Sequence, residues 1–173
     1  SYSCVVYATV FRGVKMTTYS FSSDTHFDHK NIIKYCGRPF KTVEEMNEKI
    51  IENWNKTVKE DDIVFFLGDL AFRGKIKDFK KRLNGQIIHI KGNHDSSKDV
   101  KIRELKISLG GKTWTLVHRP EDAKDKYVIC GHVHEEWKIK KENGQTFVNV
   151  GVDQWDFKPI KIETILKTIK GDV

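Results

Sequence analysis

The chain has 173 residues, enough for one domain with a substantial core and short for two. Hydrophobic residues make up 38% and charged residues 32%, with only 3 Pro, which excludes disordered, collagen-like and fibrous classes. The longest apolar run, residues 63–67, falls far below the ~20 residues a membrane helix needs, and the formal net charge of +7 favours anionic partners such as phosphates, nucleic acid or acidic lipid.

The elements follow in chain order. Residues 1–15 precede Met16, where a clear strand pattern begins. They are expected to be a dispensable N-terminal extension or an added edge strand, since Val6, Ala8 and Val10 alternate with their neighbours, and residues 16–173 are expected to form a single domain. Thr17 to Ser23 alternates as a strand and runs into Asp24-Thr25-His26. Thr42 to Val58 carries Val43, Met46, Ile50, Ile51, Trp54 and Val58 at helical spacing, with Thr42 and Glu45 as a capping box. The run Ile63 to Leu67 predicts a strand buried on both faces, ending in Gly68-Asp69.

Residues 73–82 hold six cations and one acid, a density that suggests a nucleic-acid patch. Ile76, Phe79 and Leu83 recur at helical spacing, however, so the lysines are expected on the solvated face of a short helix closed by Asn84-Gly85. Gln86 to Lys91 is the next strand, ending in Gly92-Asn93-His94-Asp95. A hairpin of Lys101–Leu109 and Lys112–Val117 turns at Gly110-Gly111 and ends in His118. Tyr127 to Cys130 ends in Gly131-His132-Val133-His134, a second hairpin turns at Asn143-Gly144, and Ile162, Ile165, Leu166 and Ile169 mark a closing helix.

Five times an apolar strand ends and a metal-capable side chain follows: Asp24 with His26, Asp69, Asn93 with His94, His118, and His132 with His134. Each alone is ordinary. Ligands bind beyond the carboxyl ends of strands in open α/β sheets, so groups distant in sequence can converge there. Mixed imidazole, carboxylate and amide donors suit Mn, Fe, Co, Ni or Zn and argue against calcium. Seven of these groups taken as donors exceed the needs of one ion, and two ions sharing Asp69 would use all seven. Of the two remaining histidines, His89 is expected to be packed within its strand, and His29 to lie near the site or cap a helix. The cysteines Cys4, Cys36 and Cys130 are widely spaced without a CxxC, which predicts neither a disulfide framework nor a thiolate zinc site and suits a reducing, cytoplasmic setting.

These motifs in this order, spanning about residues 20 to 135, resemble the calcineurin-like metallophosphoesterase superfamily. The runs SDTHFDHKNIIKYCGRPF and NVGVDQWDFKPI are similar to those of its small single-domain bacterial and phage members. The resemblance implies a four-layer αββα sandwich, an α/β fold with two packed mixed sheets flanked by helices. It further implies one divalent ion on Asp24, His26, Asp69 and His134 and a second on Asp69, Asn93, His118 and His132, manganese being the expected metal. His94 corresponds to the family's non-ligand histidine, which approaches the leaving group, while a hydroxide bridging the ions attacks phosphorus.

Two departures stand out. Where the family's Ser/Thr phosphatases carry GDxxDRG, this chain has Gly68-Asp69-Leu70-Ala71-Phe72-Arg73-Gly74, with Phe72 in place of the Asp that supports the catalytic histidine. His118, in turn, is followed by Arg119-Pro120. Arg73 matches the phosphate-gripping arginine of that motif, and Arg38, in the loop after the first motif, is a second candidate substrate contact. The resulting expectation is a phosphodiesterase on small or nucleotide-like phosphoesters. A general phosphomonoesterase, a non-catalytic scaffold on the same fold, and a nuclease are the alternatives, although no aromatic strand or basic–aromatic interleaving supports nucleic-acid binding. No membrane association is expected, and the oligomeric state is not legible.

Overall fold

The computed structural model describes the backbone strand Val5–Tyr7 and residues 17–171, so the rest of the expected extension lies outside the described residues. Among the described residues the alternating and apolar runs lie in ten strands of two mixed sheets. The smaller contains β2 (Tyr19–Ser22), β3 (Ile63–Phe66), β4 (Gln86–His89) and β10 (Ile160–Lys161), in the order β10-β2-β3-β4. Strands β2, β3 and β4 run parallel, Phe21 opposite Phe65 and Phe66 opposite His89, and β10 is antiparallel.

The larger sheet holds β1 (Val5–Tyr7), β5 (Glu104–Leu109), β6 (Lys112–Val117), β7 (Tyr127–Cys130), β8 (Ile139–Glu142) and β9 (Gln145–Asn149). Its order is β1-β5-β6-β7-β9-β8. Here β6, β7 and β9 run parallel, while β5–β6 and β8–β9 are the two expected hairpins. Strand β1 pairs in parallel with β5 at the sheet edge, Val6 opposite Ile107.

The apolar run of β3 works on both faces. Phe65 joins Phe21, Leu67 and Ile90 in a core with Leu105, Trp114, Leu116, Ile129 and Val148 of the larger sheet, so the two sheets pack face to face. Val64 and Phe66 point the other way, against Met46, Ile50, Ile51 and Trp54 of α2 (Val43–Thr57) and Ile76 and Phe79 of α3 (Ile76–Lys80). Helix α2 starts as its sequence predicts. The Glu45 N–H donates to Thr42 Oγ1, and the Glu45 carboxylate reaches back to the Lys41 N–H, one residue before the cap. The lysine-rich segment buries Ile76, Phe79 and Leu83 and exposes Lys75 and Lys77, as amphipathic spacing requires.

Helix α4 (Ile162–Lys170) sends Ile162 and Ile165 into the core between the sheets. The outer face of the larger sheet is covered differently, by a 3₁₀ turn at Pro120–Asp122 and by Trp137 over Val117, Val128, Cys130 and Phe147. The short elements α1 (Ile32–Tyr35) and β10 escaped the periodicity, because so few residues cannot show a repeat. No helix among the described residues is long and apolar enough to cross a membrane.

Candidate metal centre

The parallel strands of each sheet end on the same side, and the side chains that follow β2, β3, β4, β6 and β7 meet there. Backbone bonds lock the first two loops together: the Asp24 N–H donates to Gly68 O at 3.0 Å and the His26 N–H to Asp69 O at 3.1 Å. Three tight donor groups result among the described residues, Asp24 with His26 and His134, Asp24 with Asp69 and His118, and Cys36 with His134 and Asp153. Close approach of the loops demands glycine. A Cβ on Gly92 would stand 2.1 Å from Asp69 Oδ1, and one on Gly131 would stand 2.4 Å from Asp24 Oδ2.

Asp24 is fully buried and uses its two oxygens differently. Oδ2 accepts from Ser23 Oγ at 2.6 Å and from the His132 N–H at 2.8 Å. Oδ1 has no hydrogen-bond partner and faces His26 Nε2 at 3.6 Å and His134 Nε2 at 3.8 Å; His26 Nε2 is also buried and unpartnered. Unpaired buried polar atoms are costly, and two on facing groups aim at the same point. Although burial opposes its charge, the nearby His26 ring and the fields of His118 and His134 hold the Asp24 carboxyl well below the usual carboxylate range.

Asp69 sits between the groups. Its Oδ1 accepts the His94 N–H at 2.8 Å, while Oδ2 lies 3.8 Å from His26 Nε2 and 3.3 Å from His118 Nε2. The His118 ring donates from Nδ1 to Leu67 O at 2.7 Å, which turns Nε2 toward Asn93 Oδ1, 2.9 Å away, and toward Asp69. Nε2 thus faces two acceptors and must carry a proton or give its lone pair to a cation. Burial pulls the His118 pKa down, but Asp69 and Asp24 win and push it up to about 9. In the same way His134 donates from Nδ1 to Asp153 Oδ2 at 3.3 Å, leaving Nε2 toward Asp24. Its pKa is pushed up to about 11 against burial by Asp153, Cys36 and Asp24. A ring whose far nitrogen is tied to a carboxylate or carbonyl is the usual posture of a metal-binding histidine.

Backbone strain marks the same residues. Among the described residues nine non-glycines have positive φ, and five of them are expected ligands: Asp24, His26, Asp69, His132 and His134. Such conformations cost of the order of 1–3 kcal/mol each and collect at functional sites. His132 stands apart from the tight groups, its ring 5.1 Å from that of His118. His94 is exposed at the mouth, its ring 5.6 Å from His26. His29 does both things expected of it: Nδ1 accepts the Ile32 N–H at 3.2 Å at the start of α1, and the ring lies 5.7 Å from that of His26.

The two candidate arginines have different surroundings. Arg73 is exposed on the wall of a cleft beside His94. Arg38 is buried and turned away from the site. Its guanidinium donates to Asp153 Oδ1 and Oδ2 at 2.8 and 3.0 Å and to the Asp24 and Thr25 carbonyls at 2.7 and 2.9 Å, so the fold consumes it and no arm remains for a substrate.

Two supporting residues had no role in the sequence reading. Asp153 follows β9, a sixth strand end with an acidic residue close behind, and the strand-end rule would have found it. Asp95 lies inside a quoted motif. Its Oδ2 accepts from the Gly92 and Asp69 N–H groups at 2.8 and 2.9 Å and from His89 Nε2 at 3.0 Å. Despite burial, these bonds bring its pKa down to about 2. His89 is indeed packed within its strand, at the back of the site.

Residues 19–171 match the model of the calcineurin-like phosphoesterase superfamily domain. The chain belongs to this superfamily. An uncharacterized protein of Methanocaldococcus jannaschii, MJ1445, is 41% identical over 164 residues, covering 87% of this chain and 91% of its own. The crystal structure of a protein of unknown function from Aquifex aeolicus, AQ665, superposes with a TM-score of 0.70 at 25% identity, over 88% of this chain and 100% of that one. A Vps29 from Entamoeba histolytica is more distant, at 19% identity and a TM-score of 0.45 over 77% of this chain and 73% of its own.

Proposed function

We propose that this chain is a metal-dependent phosphodiesterase, with two divalent first-row ions held by Asp24, His26, Asp69 and His134 and by Asp69, Asn93, His118 and His132. The observation that carries the reading is the pair of buried, unpartnered atoms Asp24 Oδ1 and His26 Nε2, flanked by ligand residues in strained backbone. When bound, such ions neutralise charge on phosphoryl oxygens and make water nucleophilic at neutral pH.

The chain's own residues do the rest. Asp24 is anchored through one oxygen, which leaves the other for the metal at no cost in reorganisation. Asp95 holds the Asp69 loop through its backbone N–H, and Asp69 in turn orients the His94 backbone. The exposed His94 ring is free to reach the leaving-group oxygen and donate a proton to it.

The shape of the site supports a diester. Two clefts leave the floor formed by His26 and His94, one of about 780 Å³ past Asn93 and Arg73 and one of about 290 Å³ past Cys36 and His134, with His29 lining both. A diester has two arms to place. With Arg38 committed to Asp153, Arg73 is the one candidate guanidinium left to meet the extra charge of a monoester dianion. The test is kcat/KM for bis-aryl and mono-aryl phosphates with the same leaving group under one metal condition. Higher efficiency on the diester is expected, and a monoester preference of about tenfold or more, about 1.4 kcal/mol in transition-state binding, would reverse the assignment.

A further inference from the structure

We infer that the larger cleft is a subsite for a flat aromatic ring on one arm of the substrate ester, stacked on Phe72, with a nucleobase as its natural occupant. The inference rests on the phosphodiesterase reading and adds the class of substrate.

Phe72 is 52% exposed although Leu70, Ala71, Ile76 and Phe79 around it are buried. Single exposed hydrophobics are ordinary. Among the described residues, however, the large ones are three, Tyr35, Phe72 and Ile102, and the first two border the two clefts that leave the metal floor. Phe72 is also held in place. Its N–H donates to Phe27 O at 2.7 Å and its carbonyl accepts the Lys75 N–H at 3.1 Å, so the ring is presented on a pinned backbone rather than on a loose loop.

The neighbouring His29 ring meets Phe72 edge-on, with centroids 5.7 Å apart at 65°. Because His29 Nδ1 accepts the Ile32 N–H, the ring's proton is on Nε2, and it offers a neutral donor beside an apolar face. Ser96 and Asp99 line the same cleft, and Arg73 lies next to Phe72. An aromatic side chain in a cleft also lined by hydrogen-bonding groups matches a polar heterocycle better than an alkyl chain, and stacking of this kind accepts any base because every base has a π face. At about 780 Å³ the cleft is in the size range of sites for molecules larger than a bare phosphate.

The experiment measures dissociation constants of three diesters that share a methyl arm: dimethyl phosphate, methyl phenyl phosphate and the methyl ester of adenosine 5′-phosphate. The protein is metal-loaded and carries His94→Ala, so that turnover is slow against the titration. The ring-bearing diesters are expected to bind about tenfold tighter than dimethyl phosphate or better. Adding Phe72→Ala should abolish that advantage without moving the dimethyl phosphate value, and Phe72→Trp should retain it. A larger gain for the adenosine ester supports a nucleobase, whereas a gain for the phenyl ester alone would overturn the nucleobase and leave a simple aryl group. Equal binding of all three, or a uniform loss in Phe72→Ala, would overturn the subsite. Hydrolysis of the same compounds by the unmutated enzyme separates the two readings, because ring selectivity without hydrolysis sinks the phosphodiesterase and hydrolysis without ring selectivity sinks the subsite.

Discussion

Arg38 and Asp153, 115 positions apart, form a two-pronged ion pair with side chains 0% and 3% exposed. The same guanidinium bonds the Asp24 and Thr25 carbonyls, and the same carboxylate accepts from His134 Nδ1. One arginine therefore ties the loop of the first motif to a histidine of the last, and Asp153 is the link between them.

Breaking this pair should separate positioning from folding. Asp153→Asn keeps the shape but weakens the anchor of His134, and a fall in metal affinity of about 10- to 100-fold is expected, as for other partners of metal-binding histidines. Arg38→Ala leaves the buried Asp153 carboxylate without its cation, with the His134 ring still beside it, and should destabilise the protein by about 3–5 kcal/mol. Arg38→Lys should rescue little, since an ammonium cannot reproduce the planar fork. Metal titration and denaturant unfolding of the three variants read these outcomes. Arg38→Ala with unchanged stability would show that the pair is not a structural clamp.

Asp69→Ala is expected to be the most damaging single change among the candidate ligands. Asp69 Oδ2 stands between His26 and His118, so its loss removes a donor common to both halves of the site. Elemental analysis should show less metal than in His132→Ala, whose ring stands outside the tight donor groups. Equal metal content in the two variants would count against a bridging role.

His94→Ala should keep its metal and lose turnover by about 10²-fold or more, the range for a missing general acid. Its ring is exposed and makes no hydrogen bond to a carboxylate among the described residues, and its backbone bond to Asp69 survives the substitution. The deficit should grow as the leaving-group pKa rises. A variant that loses its metal would instead make His94 a ligand.

Metal and protons compete for the two anchored histidines. Without metal, His118 and His134 have pKa values raised to about 9 and about 11 from 6.5. A histidine raised on folding stabilises fully below its unfolded pKa, and that contribution fades as pH climbs through the folded value. The melting temperature of the chelated protein should therefore fall between about pH 7 and pH 10, whereas that of the metal-loaded protein should not. Metal affinity should rise over the same range, with protons released on binding. A chelated protein that becomes more stable toward pH 10 would contradict this account.

The convergence of the candidate metal-binding groups was largely legible in the sequence because they follow immediately on apolar strands. Strand periodicity is local, and parallel strands bring their carboxyl ends to one edge whatever the loops between them. The double-sided burial of β3, the capped start of α2 and the solvated lysines of α3 likewise follow from spacing alone. Tertiary structure decided what depends on direction and partner. The sequence could not show that Arg38 turns inward to Asp153 rather than outward to a phosphate, because an arginine side chain is long and its contacts are set by a loop 115 residues away. Nor could it show that Asp24 binds through one oxygen and leaves the other bare, or that Phe72 and Tyr35 border clefts instead of joining the core. Those outcomes rest on how two sheets pack and where their loops cross, and nothing in local periodicity carries that information.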